Sequence, residues 1–274
     1  MLRKLLKYEF RSTGRIFGLC YIGLFAVAIL SRLLTPMRYL PEEAANTGWF
    51  AGILSDVADF TVILMLAMVC VMTLVLIVQR FWKNLTGDEA YLMHTLPVSP
   101  ALHIASKLIA ALCWCVISMV MCILAILIFS AVEMEFLWEL MKGLATPAVI
   151  PIVLKGLILI ISGFAASILQ IYAAIMLGHL ASKHRVALAV AAYFGISIGI
   201  NIISSNLLVM FMSYFDGWIT WIDNLLQSSL YTPVEAFTTI FDAVFLIGLI
   251  SNLILGVVFY VITHYLMKTH LNLE

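Results

Sequence analysis

The chain has 274 residues, of which 64% are hydrophobic and 11% are charged. A water-soluble fold of this length cannot bury so much apolar surface, so the composition excludes a soluble globular protein and indicates that lipid surrounds most of the chain. The formal net charge is zero, and the charge balance therefore gives no reason to expect nucleic acid as a partner.

The first predicted element is an amphipathic helix over residues 1–15, which we expect to lie on the inner leaflet of the membrane. At about 100° per residue, its leucines and Phe10 share one face and its basic residues cover the other. Glu9 interrupts this pattern because it falls on the apolar face, where an unpaired carboxylate is costly. We therefore predict that Glu9 pairs with a cation such as Arg80 or Lys83 at the end of the second span.

Six apolar runs are long enough to cross a bilayer core as helices of about 20 residues. We predict these spans near Ile16–Leu34, Phe60–Gln79, Leu108–Val132, Gly156–Gly178, Val186–Met212 and Ala243–Met267. The predicted fold class is therefore all-α membrane, with six transmembrane helices, the N-terminal amphipathic interfacial helix and a short cytosolic coupling helix. No soluble domain is visible, so residues 1–274 are predicted to form a single transmembrane domain.

Lysine and arginine residues set the predicted orientation, because cytosolic loops carry an excess of them. With a cytosolic N-terminus, eleven of these cations fall in inner segments and four fall in outer segments. We therefore predict that the N- and C-termini are both cytosolic. The four outer cations are Arg32, Arg38, Lys142 and Lys155.

Two outer segments, residues 35–59 and 213–242, are unusually long. The second is rich in aromatic residues that suit the lipid headgroup region, and we expect it to form short interfacial or re-entrant helices broken near Pro233. Residues 133–142 are also predicted to form an interfacial helix. Three acids at the predicted outer side could attract a cationic substrate, although interfacial acids are common without such a role: Asp56, Asp59 and Asp242.

The cytosolic loop at residues 80–107 contains the most specific pattern in the sequence. Thr86 and Glu89 form a capping box, which predicts a short helix starting at Gly87, and Pro97 ends that helix. Apolar residues on a cytosolic projection usually mark a contact with another protein. The alternative is that the helix folds back onto the bilayer surface.

This loop carries a resemblance to a known family. It reads Phe81-Trp-Lys-Asn-Leu-Thr-Gly-Asp-Glu-Ala-Tyr-Leu-Met-His-Thr-Leu-Pro-Val-Ser99 and resembles the corresponding loop in type-2 ABC exporter permeases of Gram-positive bacteria. The start Lys7-Tyr-Glu-Phe10 is similar to the N-terminal interfacial helix of those proteins. The six spans and the long outer segment before the last one also fit the family. Ala90 and His94 stand where a glycine and a hydrophobic residue are expected.

The resemblance implies that the chain is the membrane subunit of an ABC exporter in the bacterial plasma membrane, paired with a second copy or a related permease. A separate cytosolic ATPase subunit would bind ATP and Mg²⁺, and this chain, which has no phosphate-binding loop, would not be an enzyme. The residues expected to contact that subunit through the coupling helix are Asp88, Glu89, Tyr91, Leu92, Met93, His94, Leu96 and Pro97. In the interfacial helix they are Tyr8, Glu9 and Arg11.

Two sets of residues inside the predicted spans are candidates for a substrate path, with helix packing as the alternative for both. The first set lies at helical spacing in the fifth span: Ser197, Asn201, Ser204 and Ser205. The second lies in the second span: Met65, Met68 and Met72. Gln170 and Asn252 stand alone and are interpreted as packing hydrogen bonds. The substrate is expected to be apolar or amphipathic, such as a drug, a lipid or an antimicrobial peptide.

Two other classes of function stay open. A non-transporting membrane anchor, sensor or immunity protein would need no ATPase partner. A membrane enzyme would need catalytic groups clustered at one depth, and none are found. The G-x-S-x-G pattern at residues 195–199 lies within a span, where two glycines favour close helix packing over a hydrolase active site. The five cysteines lie in apolar runs, so neither a disulfide nor a metal site is predicted.

Overall fold

The computed structural model describes residues 2–34, 45–83, 100–130, 134–147, 149–181, 183–214 and 233–269. Within these ranges the chain forms helices and no β-strand. Numbered in chain order, the helices are α1 Leu2–Leu34, α2 Ala45–Phe81, α3 Pro100–Phe129, α4 Met134–Leu144, α5 Ile150–Gly178, α6 Arg185–Tyr214 and α7 Pro233–Thr269. The fold is all-α, as the sequence predicts.

Six of these helices are long and apolar enough to cross a bilayer. Their apolar stretches are Leu6–Leu34, Gly52–Phe81, Ala101–Phe129, Ile150–Gly178, Arg185–Leu207 and Val244–Thr269. Each overlaps one predicted span. Hydrocarbon offers no hydrogen-bond partners, so a long apolar run must satisfy its backbone internally as a helix. The chain is a multi-pass membrane protein.

The amphipathic segment at residues 1–15 is helical, but it continues into the first span without a break. The sequence predicts two elements here, whereas α1 is one helix of 33 residues. At 1.5 Å per residue such a helix is about 50 Å long, which exceeds the bilayer core of about 30 Å. No proline interrupts the segment, so the backbone hydrogen bonds continue through the junction.

The helices α2 and α7 also begin ten or more residues before the predicted spans. Residues 45–59 of the segment predicted to be on the outer side belong to α2, so Asp56 and Asp59 lie inside a helix. The last helix begins at Pro233, where a proline suits the first turn because its missing N–H has no helical partner. The expected break near Pro233 thus coincides with the start of α7, while residues 215–232 lie outside the described ranges. The predicted helix at 133–142 corresponds to α4.

The described helices contribute to two compact units, and the first contains α1, α2 and α3. In this unit α1 packs against both other helices, which also contact each other. One cluster of buried residues in its core consists of Phe17, Tyr21, Leu24, Ala28, Val69, Leu76 and Ala125. The unit is therefore a three-helix bundle with α1 in contact with both neighbours.

The second unit contains α5, α6 and α7, and α5 packs against both other helices. A tight turn joins α5 to α6. Gly178 ends α5 so close to α6 that a Cβ atom there would lie 2.5 Å from Cβ of Ala189 and 2.7 Å from the carbonyl oxygen of Arg185. His184 precedes α6 with a φ of 59°, a left-handed conformation that costs energy for a residue with a side chain. The prediction of a single domain over residues 1–274 stays a prediction.

Candidate functional site

Charged side chains meet in the first unit where α1 begins, α2 ends and α3 begins. Arg80 donates through Nη1 to Oε2 of Glu9 at 2.9 Å. Lys107 donates through Nζ to the other carboxylate oxygen of Glu9. Arg80 also donates through Nη2 to Oγ of Ser12 at 2.6 Å. We refer to Glu9, Arg80 and Lys107 as the charge cluster.

The charge cluster is largely shielded from solvent. The exposed fraction of the side chain is 3% for Lys107, 11% for Glu9 and 22% for Arg80. Removing one member of a buried ion pair is strongly destabilising, because the other charge is left buried without compensation. Since each member comes from a different helix, the charge cluster fixes the ends of α1, α2 and α3 relative to one another.

The contact between Glu9 and Arg80 confirms the pairing predicted from the sequence, with Arg80 rather than Lys83 as the partner. Lys107 is the residue that sequence reasoning missed. The sequence did contain a signal that could have identified Lys107 as a partner of Glu9. Lys107 is one of the cations assigned to the inner side, and it directly precedes the third predicted span. The helix rotation that turns it toward Glu9 was not readable from the sequence.

Arg80 and Lys107 lie on either side of the loop at residues 84–99. That loop lies outside the described residues, so the assigned coupling contacts stay predictions: Asp88, Glu89, Tyr91, Leu92, Met93, His94, Leu96 and Pro97. On α1, Tyr8 is 71% exposed and Arg11 is also exposed. These two side chains are accessible to a partner, whereas Glu9 between them is committed to the charge cluster.

Further along the first unit, aromatic and hydroxyl side chains join its helices. The ring of Trp114 stacks on Phe17 with centroids 4.2 Å apart. Tyr21 Oη and Ser118 Oγ lie 2.7 Å apart, and Thr73 Oγ1 lies 3.0 Å from the same Ser118 oxygen. The hydroxyls of all three helices thus satisfy one another, as polar groups within a membrane must. The three helices are therefore coupled well beyond the charge cluster.

The methionines proposed for a substrate path do not share one environment. Met65 and Met72 pack against the core of the first unit. Met68 is 50% exposed. Helix packing therefore accounts for two of these residues, and only Met68 presents its side chain to the surroundings of the unit. Their place in a substrate path stays a prediction.

Polar side chains in the second unit form pairs between helices. Gln170 donates through Nε2 to Oγ of Ser197 at 2.7 Å, which joins α5 to α6. Asn252 donates through Nδ2 to Oγ of Ser162 at 3.2 Å, which joins α7 to α5. The interpretation of Gln170 and Asn252 as packing hydrogen bonds is confirmed. Ser197 takes part in this packing.

The other three residues of the fifth-span set lie on α6 in a different environment from Ser197. We call Asn201, Ser204 and Ser205 the polar stripe. Asn201, Ser204 and Ser205 are exposed, and each donates to a carbonyl oxygen of its own helix. Such back-bonding satisfies the donors but leaves polar oxygens on the helix surface. In a membrane, a face of this kind is expected to meet another protein surface or water rather than lipid.

Asp242, one of the acids considered for attracting a cationic substrate, has a partner. Lys155 donates through Nζ to Oδ1 of Asp242 at 2.6 Å. Their side chains are 33% and 48% exposed, so this pair is far more open than the charge cluster. The pair links the early turns of α5 and α7. Lys155 therefore partly compensates the charge of Asp242, and the attraction of a cationic substrate by Asp242 stays a prediction.

His179 directly follows α5, outside the membrane-spanning stretch. Its Nδ1 lies 2.9 Å from the carbonyl oxygen of Ile175, so that nitrogen acts as the donor. Burial lowers the pKa of His179, and Arg185 acts in the same direction, while the hydrogen bond to Ile175 opposes them. The ring of His179 thereby satisfies a carbonyl group in the last turn of α5.

Comparisons of the chain with known protein families, with curated proteins and with solved structures each find no match. Within the described ranges, no group of three or more His, Cys, Asp or Glu side chains is arranged to hold a metal ion. The structure itself shows an all-α, multi-pass membrane protein with the charge cluster in its first unit.

Proposed function

We propose that the chain is the permease subunit of an ABC exporter in a bacterial plasma membrane. A separate cytosolic ATPase would supply the energy, and the substrate would be apolar or amphipathic, such as a drug, a lipid or an antimicrobial peptide. The proposal starts from the resemblance of residues 81–99 to the coupling loop of that family. The observation that supports it most is the charge cluster, which ties α1 to both helices that flank this loop.

The mechanism begins at the loop. When ATP binds, the two ATPase subunits close on each other and push the coupling helix at residues 87–97. The push reaches the end of α2 and the start of α3. Because Glu9 binds both Arg80 and Lys107, α1 must follow the other two helices. The first unit would then move as one body, which is a common mode of switching in proteins.

The continuity of α1 extends this movement through the membrane. Tyr8 and Arg11 are exposed near its start, where the ATPase would contact them. A helix about 50 Å long transmits a displacement along its whole length, because no break interrupts its backbone hydrogen bonds. A push at the cytosolic end would therefore also shift the far end of α1, where the substrate leaves.

The exposed polar stripe on α6 supports pairing with a second permease chain and a substrate route between the two chains. Asn201, Ser204 and Ser205 would face a second copy of the chain or a related permease, with the substrate route between them. This arrangement would give the three side chains the polar surroundings that lipid cannot provide. Met68 is an apolar and flexible candidate on α2 for contacting an amphipathic substrate.

The proposal is tested by purifying the tagged full-length chain from its native membranes in mild detergent and measuring vanadate-sensitive ATPase activity. We expect an ATP-binding protein with a phosphate-binding loop to co-purify. The double variant Tyr91→Asp, Leu92→Asp should lose at least about 90% of the associated activity, since burying two carboxylates at an interface removes more than the 1.4 kcal/mol of a tenfold change.

The matched control is Leu271→Asp, which adds a carboxylate on the same predicted side of the membrane but outside the loop. It should retain the associated ATPase. Equal activity in the control and the double variant would contradict the assigned coupling contact. Absence of any ATPase from the wild-type preparation would contradict the exporter assignment itself and favour a membrane anchor, sensor or immunity protein.

A further inference from the structure

The end of the first unit opposite the charge cluster contains a second set of buried polar groups, between α1 and α2. Ser31 and Ser55 are both 0% exposed, and Asp59 is half-buried. Ser31 donates through Oγ to Oδ1 of Asp59 at 2.6 Å. The three side chains thus bring two hydroxyl oxygens and one carboxylate to a helix interface.

Ser55 stands out because its hydroxyl oxygen has no hydrogen-bond partner in the described part of the chain. It lies four residues before Asp59, so the two side chains are neighbours on one face of α2. The buried positions Ala58 and Val62 belong to the same side of the helix. A fully buried hydroxyl without a partner is costly, which indicates that a group outside the described part of the chain satisfies it.

Among the residues that the structure describes, none forms an ion pair with Asp59. The nearest charged positions along the two helices are Arg32 and Asp56, and both are exposed. A water molecule could satisfy Ser55, but it would leave the negative charge of Asp59 without a counterion in a poorly hydrated interface.

We propose that Ser31, Ser55 and Asp59 bind a hard monovalent cation, for which sodium is the probe. Such cations prefer oxygen ligands, and the site offers a carboxylate and two hydroxyls. One carboxylate supplies too little charge for a typical calcium site, which takes six to eight oxygen ligands. The absence of nearby nitrogen or sulfur ligands among these three residues argues against a transition metal.

The bound cation joins α1 to α2 at one end of the first unit, as the charge cluster does at the other. Because the unfolded chain cannot assemble the three ligands, cation binding stabilises the folded protein in proportion to its occupancy. This site is independent of the exporter proposal, since neither the ATPase nor the coupling loop takes part in it.

The test compares thermal unfolding of the purified full-length protein in sodium chloride and in choline chloride at equal ionic strength. For the wild type we expect sodium to raise the melting temperature by about 3 °C at ten times the dissociation constant. Asp59→Asn and Ser55→Ala should lose this shift. Asp56→Asn, which removes the same charge three positions away, should retain it.

Equal melting temperatures of the wild type in the two salts would overturn the proposal, as would an undiminished shift in Asp59→Asn. A wild type that responds to pH but not to sodium would indicate a bound proton instead and would also overturn it. If Asp59→Asn fails to fold, binding of radioactive sodium to the wild type and to Ser55→Ala decides the matter. We expect saturable binding to the wild type, weakened at least tenfold in Ser55→Ala, and equal binding to both would refute the site.

Discussion

Glu9 and Asp242 both pair with a lysine, but burial makes the two contacts energetically different. The pair between Asp242 and Lys155 is 48% and 33% exposed, so water and salt screen it. Exposed pairs of this kind contribute about 0–1 kcal/mol. The side chain of Lys107, which pairs with Glu9, is only 3% exposed. Water therefore cannot solvate the charge of Lys107 if Glu9 is removed. The stability of the fold therefore depends much more on Glu9 than on Asp242.

We predict that Glu9→Gln lowers the free energy of unfolding by about 3 kcal/mol, because it leaves the charges of Lys107 and Arg80 in excess in a buried site. The double variant Glu9→Gln, Lys107→Met should recover at least half of this loss, since it removes the most buried of those charges. The measurement is denaturation of the purified protein in detergent.

Asp242→Asn serves as the control for this prediction and should cost less than about 1 kcal/mol. If Glu9→Gln were as mild as Asp242→Asn, the charge cluster would not hold the three helix ends together. The movement of the first unit as one body would then lose its physical basis.

At the scale of elements, the turn between α5 and α6 depends on a glycine. A Cβ atom on Gly178 would come within 2.5 Å of the Cβ of Ala189 and 2.8 Å of its Cα. These are backbone and near-backbone atoms, which cannot rotate away as the end of a long side chain can. The close approach of the two helices therefore requires the missing side chain at Gly178.

We predict that Gly178→Ala lowers the free energy of unfolding by about 2 kcal/mol, as expected for overpacking at a contact that cannot relax. Gly156→Ala is a matched control in the same helix, since no atom lies within 4 Å of its added Cβ. This control should be neutral or stabilise the protein by up to about 1 kcal/mol, because alanine favours helix. Thermal unfolding of both variants checks the prediction. Equal effects would show that the turn can widen.

Local sequence signals predicted some helix boundaries correctly and others incorrectly. The change from amphipathic to uniformly apolar near Ile16 predicts two elements, but it does not stop the backbone from continuing as one helix. A helix ends where a proline or a capping group intervenes, and none does between Arg15 and Ile16. The reverse holds at Pro233, where a strong local signal places the start of α7 correctly.

At the scale of the whole molecule, six helices able to span a bilayer place both termini on one side if all of them cross. The excess of lysine and arginine predicts that this side is the cytosol. The exporter proposal requires that orientation, because a cytosolic ATPase can reach only a cytosolic loop.

We predict that a membrane-impermeant maleimide labels Lys142→Cys in intact cells, in a background without the five native cysteines. His94→Cys and Lys183→Cys should react only after the cells are made permeable. Full protection of both inner positions in intact cells, with labelling of Lys142→Cys, is the expected pattern. Labelling of His94→Cys in intact cells would reverse the orientation and remove the coupling loop from the reach of an ATPase.

The sequence by itself determined the class of the fold and the number of spans. Apolar runs of sufficient length can exist in hydrocarbon only as helices, so the prediction needs no knowledge of neighbours. The sequence also identified Glu9 as a residue that needs a cationic partner, because a carboxylate on an apolar face is costly wherever it occurs.

Only the tertiary structure decided which polar groups meet. Lys107 reaches Glu9, Tyr21 reaches Ser118, and Asp59 reaches Ser31 from another helix. These contacts depend on the rotation and depth of each helix, and a helix that is apolar all round carries little pattern to reveal either. The partners of membrane-embedded polar groups are therefore set by packing between helices rather than by local sequence.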